Sequence, residues 1–171
     1  MRIARLFGVI TFIVLLLACG KSSKLAPLLP DAPDGWSDEG SARNEDVSGV
    51  GHSSTKSYVP SGNTSGLGVQ RVTVQILMAE KGGDEKKLKD MSIEKRSEFK
   101  ERKQIGGFPA YESFPLPSNE SHSLDLLPRS GIYVQIIAYK GGAGWDKAEN
   151  RQSVVAAFAG KTDLKKIAAM E

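Results

Sequence analysis

The sequence predicts an α+β domain, an antiparallel sheet of about six strands with helices packed on it, carried behind a signal peptide and a flexible tether. Three observations predict it. In residues 69–78, Val69, Arg71, Thr73 and Gln75 alternate with Val72, Val74 and Ile76, the period of a strand with one buried face. Four more strand-like runs between residues 97 and 139 are joined by short turns, which makes them a meander. After Asp146 the spacing turns helical, with Val154, Val155 and Phe158 on one side. Strands followed by a helix make a layered α+β arrangement. With 40% apolar and 25% charged residues in 171, the composition is that of an ordinary globular protein, with room for one core and not two.

The elements follow in order. Residues 1–18 carry Arg2 and Arg5 and then an apolar run from Leu6 to Ala18, the pattern of a signal peptide. The run is shorter than the roughly 20 apolar residues a spanning helix needs. It stops at Leu16-Leu17-Ala18-Cys19, which resembles the lipobox of bacterial lipoproteins. The resemblance implies that the Cys19 thiol is joined to a diacylglycerol, that the chain is cut between Ala18 and Cys19, and that the new amino group is acylated as well. Cys19 is the only cysteine, so an exported form of this chain has no internal disulfide and its one thiol is accounted for by lipid. At roughly 0.8 kcal/mol per buried methylene, two or three acyl chains hold a protein on a bilayer almost permanently. Gly20 stands where an Asp marks inner-membrane retention in Gram-negative lipoproteins, so in such a host the resemblance implies an outer-membrane address facing the periplasm.

Residues 19–51 are rich in Ser, Pro, Gly, Asp and Glu, with Pro27, Pro30 and Pro33 spaced by threes, and read as a lipidated N-terminus and tether. Leu29-Pro30 and Gly35-Trp36 in this stretch are expected to form the first edge of the folded unit, which otherwise occupies residues 52–171. Strands are expected at 53–59 and 69–78, with the glycine-rich loop 60–68 between them. A short surface helix follows at 84–92, capped by Asp84. The next strands are 97–105, 110–114, 121–127 and 132–139, the last being the most apolar and the choice for a central strand. A helix from Asp146 to about Ala159 stops at Gly160, and Thr162 or Asp163 caps a final turn carrying Leu164 and Ile167.

This order, with Leu29-Pro30, Gly35-Trp36, the turn from Ile105 through Gly106-Gly107-Phe108-Pro109 to Ala110, and the closing Thr162-Asp163-Leu164-Lys165-Lys166-Ile167, resembles the photosystem extrinsic-subunit (PsbP-like) α/β/α sandwich. The resemblance implies a binding or accessory role and supplies no catalytic residue.

The chemistry-bearing residues are few. With Cys19 given to lipid and only His52 and His122 present, a thiol protease and a cysteine-rich zinc site are excluded, and no metal or cofactor is expected. No Gly-x-Ser-x-Gly elbow marks a nucleophile. The loop from Gly141 to Lys147 leaves a strand and opens a helix, but it lacks the spacing of a phosphate-binding loop and reads as a flexible turn with Asp146 as cap. Trp145 within it is expected to be exposed, which makes Trp145 and Asp146 candidate contact residues. Lys100, Arg102 and Lys103 close the densest basic stretch, a candidate docking face for anionic lipid headgroups or an acidic partner. Acidic residues are mixed through it, and with Arg2 and Arg5 assigned to the leader the remainder is close to neutral, so nucleic acid is not expected as a partner. The reading is a lipid-anchored envelope protein that binds another envelope component and performs no chemistry. Its rival is a small-ligand carrier or enzyme with a pocket at the 141–147 loop.

Overall fold

The structure, a computed structural model, describes residues 24–80, 100–114 and 118–170. The leader, Cys19 and the expected helix at 84–92 lie outside the described residues.

Eight antiparallel strands form one sheet: β1 (Trp36–Asp38), β2 (Arg43–Val47), β3 (Gly51–Pro60), β4 (Val69–Ala79), β5 (Lys100–Ile105), β6 (Phe108–Ser113), β7 (Ser121–Arg129) and β8 (Ile132–Lys140). Their order is β1-β3-β4-β8-β7-β6-β5, with β2 beside β1 along the outer edge of β3. The α+β class is as expected, and the six expected strands correspond to β3 through β8. The strand count is corrected from six to eight, because β1 and β2 lie in the stretch read as tether. Both are short, and β2, Arg-Asn-Glu-Asp-Val, has four of its five side chains exposed. Its place rests on main-chain pairing from Arg43↔Thr55 to Val47↔Gly51, so it has no apolar period to betray it. The folded unit reaches back further still, since Leu25, Leu29 and Trp36 all join the core.

Register aligns the inward side chains in rows. Tyr58, Val72, Ala138 and His122 make one, and Val74, Ile136, Leu124 and Glu112 the next. Ile76, Val134, Leu126 and Ala110 make a third, and all of these residues are buried. Helix α1 (Ala148–Lys161) lies over β8, β7 and β4, and α2 (Leu164–Ala168) over β7. They bury Val154, Val155, Phe158, Leu164 and Ile167 against the rows. Trp36 and Tyr58 meet the Phe158 ring at 5.3 and 4.7 Å between centroids, which ties the N-terminal segment to the C-terminal helix. The Tyr58 hydroxyl donates to the Pro30 carbonyl at 2.6 Å, and burial pushes its phenol far above the ordinary range, so it stays a donor. Strand β8 is fourth of the seven in the path, the central place expected for it.

The turns obey local chemistry. Gly106 and Gly107 both have positive φ, +60° and +87°, and form the two-residue loop of the β5–β6 hairpin that pairs Ile105 with Phe108. Helix α1 begins at Ala148 with Lys147 at the cap position and no side-chain cap, so Asp146 does not cap it. Asp163 does cap α2, accepting from the Lys166 amide at 2.9 Å. Among the described residues no helix is long and apolar enough to cross a membrane.

One buried position, on the face of β3 away from the helices, is out of keeping with its burial. Ser53 is fully buried, and its hydroxyl has no hydrogen-bond partner among the described residues. An unsatisfied buried hydroxyl costs on the order of 1 kcal/mol or more. Ser53→Ala is therefore expected to stabilise the domain by about 1 kcal/mol, read as a higher urea midpoint at unchanged slope. A lower midpoint would count against an unsatisfied hydroxyl.

Candidate functional site

Because Val69 at the start of β4 pairs with Lys140 at the end of β8, the glycine-rich loops that precede β4 and follow β8 meet at one end of the sheet. They meet main chain to main chain. The Gly141 amide donates to the Gly68 carbonyl at 2.8 Å. Gly68 has φ +70°, and a Cβ there would sit 2.0 Å from the Trp145 nitrogen; one on Gly144, at φ +97°, would sit 2.2 Å from the Gly66 carbonyl oxygen. Only glycine fits both the conformation and the approach.

Behind this seam the expectation for Trp145 is corrected. The side chain is 0% exposed, its indole N–H donates to the Asn119 carbonyl at 2.8 Å, and the Arg151 guanidinium lies 5.3 Å from the ring centroid while donating to the Trp145 carbonyl. A ring this large gains more from burial than from solvent. Asn150 donates to the Gly144 carbonyl at 2.8 Å and ties the loop to α1. Trp145 is thus the pin that holds the loop, and Asp146 and Lys147 beside it are exposed.

The two loops line an open groove of about 560 Å³ between residues 66–70 and 141–144, to which Pro60 and Lys147 also contribute. Among the described residues Lys147 is the only titratable one lining it. Its lining of glycines, Pro60, Val69, Gln70, Ala143 and the Lys147 cation can bind, but among the described residues it holds no nucleophile and no acid–base pair.

The basic stretch is divided by strand geometry. Arg102 lies opposite Tyr111, and Lys103 lies opposite the inward-facing Ala110, so the two point to opposite sides of the sheet. Arg102 is exposed, and the Lys100 side chain lies outside the described residues. Lys103 pairs with Glu112, and with Glu101 at 3.4 Å. Glu112 in turn accepts from His122 Nε2 at 2.8 Å, and His122 Nδ1 is 3.1 Å from the Ser113 hydroxyl. Burial pushes the Glu112 carboxyl up, but hydrogen bonds from His122 and Lys103 outweigh it and hold the group below its usual range. The same hydrogen bond to Glu112 raises the Lys103 ammonium. A serine, a histidine and a carboxylate in series suggest a hydrolase. Here His122 is 1% exposed, and Ser113 Oγ already accepts the Ser123 amide at 2.9 Å, so the chain closes on itself.

No family model, curated protein or solved structure matches this chain.

His52 is the other histidine. Its ring bridges Asp46 at 2.5 Å and Glu80 at 2.8 Å, joining β2, β3 and the end of β4. Both ring nitrogens are engaged by carboxylates. Among the described residues no group of three His, Cys, Asp or Glu is arranged to hold a metal ion.

Proposed function

We propose that this chain is a non-catalytic binding module, held at a cell-envelope membrane by lipid on Cys19 after cleavage behind Ala18, and that it engages another envelope component. The observation that carries the binding half is the groove between residues 66–70 and 141–144, whose walls offer main-chain hydrogen bonds and the single charge of Lys147. Asp146, exposed beside it, is the second contact on that rim. The anchoring half rests on the lipobox-like Leu16-Leu17-Ala18-Cys19, and the accessory role on the resemblance to the PsbP-like α/β/α sandwich. In a Gram-negative host Gly20 favours the outer membrane facing the periplasm. A second reading, a small-ligand carrier, is favoured by the groove volume, which falls within the roughly 300–1,000 Å³ of small-molecule sites.

In-cell photocrosslinking separates the two. A photoreactive residue at position 147 is compared with one at position 102, in the native chain and in a Cys19→Ala form exported by a soluble leader. One reproducible protein captured only from position 147 of the anchored form is the expected result. Capture from neither position above background would overturn the partner reading. A small molecule retained by the purified chain in native mass spectrometry would then favour the carrier.

A further inference from the structure

A second groove, of about 430 Å³, crosses β2, β3 and β4 on the side of the sheet away from α1. Arg43 and Glu45 of β2, Thr55 and Ser57 of β3, Arg71 of β4 and Glu39 line it. Two of these charges already answer each other: Arg71 donates through Nε and Nη2 to the two Glu39 oxygens at 2.7 and 2.8 Å. Ser57 is within 3.3 Å of the Thr73 hydroxyl. The side chains of Arg43 and Glu45 have no ion-pair or hydrogen-bond partner among the described residues. They stand two residues apart on one strand and face the same way, about 6.7 Å from each other. Thr55 pairs directly with Arg43 across the strands, so the two side chains leave the sheet on the same face. The groove therefore presents one unanswered cation and one unanswered anion, side by side.

We infer that this groove binds a zwitterion whose anionic and ammonium groups are separated by a short chain, the phosphoethanolamine unit. The fork of Arg43 takes two phosphate oxygens, and the Thr55 hydroxyl donates to the phosphate as well. Glu45 accepts from the primary ammonium, which has N–H donors for both of its oxygens. A plain anion leaves Glu45 unanswered and is repelled by it. An α-amino acid carries both charges on one carbon, closer together than in phosphoethanolamine, and titration with alanine separates the two. The same unit occurs as a lipid headgroup and as a soluble diester, and the experiment distinguishes the two.

The full chain is reconstituted in phosphatidylcholine vesicles and titrated calorimetrically with glycerophosphoethanolamine. Saturable binding is expected, weakened about tenfold or more by Arg43→Gln and again by Glu45→Gln. Both residues are exposed, so neither change threatens the fold. Glycerophosphocholine, whose quaternary ammonium has no N–H, and glycerophosphate, which has no ammonium, are expected to bind at least about tenfold more weakly. Absence of binding, equal binding of glycerophosphate, tighter binding of alanine, or no effect of either substitution would overturn the inference. Repeating the titration in vesicles containing phosphatidylethanolamine assigns the source. Loss of the soluble ligand's heat there means that the lipid headgroup fills the groove, and an unchanged heat means that the soluble diester is the ligand.

Discussion

Replacing Glu112 with alanine is expected to cost the domain about 3 kcal/mol or more at neutral pH, a large share of the stability of a domain this size. Glu112 is only 5% exposed and both its oxygens are in use, one by His122 and the other by Lys103. Its removal strands a buried imidazole without its acceptor and leaves a half-buried ammonium facing an apolar hole. The cost comes from that asymmetry and not from the strength of the intact network. Replacing all three together, Glu112→Leu with His122→Leu and Lys103→Met, is expected to be far milder, because a buried ion pair exchanged whole for apolar side chains is often near neutral. The pH dependence has a definite sign on each side. The Glu112 carboxyl is lowered on folding, so its contribution is complete above the ordinary carboxylate range and is lost as pH falls through the lowered value. The Lys103 ammonium is raised, so its contribution is complete below its ordinary value of 10.5 and is lost as pH rises through the raised one. Urea denaturation of the native and Glu112→Ala chains between about pH 3 and 11 should give a difference that is flat through neutrality and shrinks at both ends. A difference that persists undiminished into acid would show that the carboxylate charge is not what the network stabilises.

That network also shows what can and cannot be read from a sequence. Strands β3 to β8, the central place of β8, the β5–β6 turn and both C-terminal helices were legible because each leaves a local mark: an apolar period, a paired glycine, a cap. Strand β2 left none, since its side chains face water and its pairing is made by main chain. Lys103, Glu112 and His122 come from three strands, and no local pattern joins them. A trace was nevertheless there. His122 stands in the inward phase of Leu124 and Leu126, and Glu112 in that of Ala110, so each is a polar residue at a core position, which requires a partner. Trp145 was misplaced for a related reason. The glycines around it were read as freedom, whereas Gly68 and Gly144 are small so that two main chains can touch and a ring can close behind them.

Trp145→Ala is accordingly expected to be the other severe change, costing about 3–5 kcal/mol, as truncation of a fully buried aromatic does. The loss would include the indole hydrogen bond to Asn119 and the Arg151 contact above the ring. Trp145→Phe keeps most of the buried volume and gives up the N–H, so a smaller loss of about 1–2 kcal/mol separates the hydrogen bond from the packing. Gly68→Ala reaches the same seam from the opposite loop without touching the ring. A methyl group there cannot coexist with the Trp145 nitrogen 2.0 Å away, so the loops must part and the groove between them must change shape. The chain has two tryptophans, and in a Trp36→Phe background the emission of Trp145 reports the seam alone. In that background Gly68→Ala is expected to shift the emission to the red as water reaches the indole, and to abolish crosslinking from position 147. An unshifted spectrum with crosslinking intact would mean that the two loops are not held by the contact between their main chains. A shifted spectrum with crosslinking intact would keep the seam and move the partner's contact away from the groove.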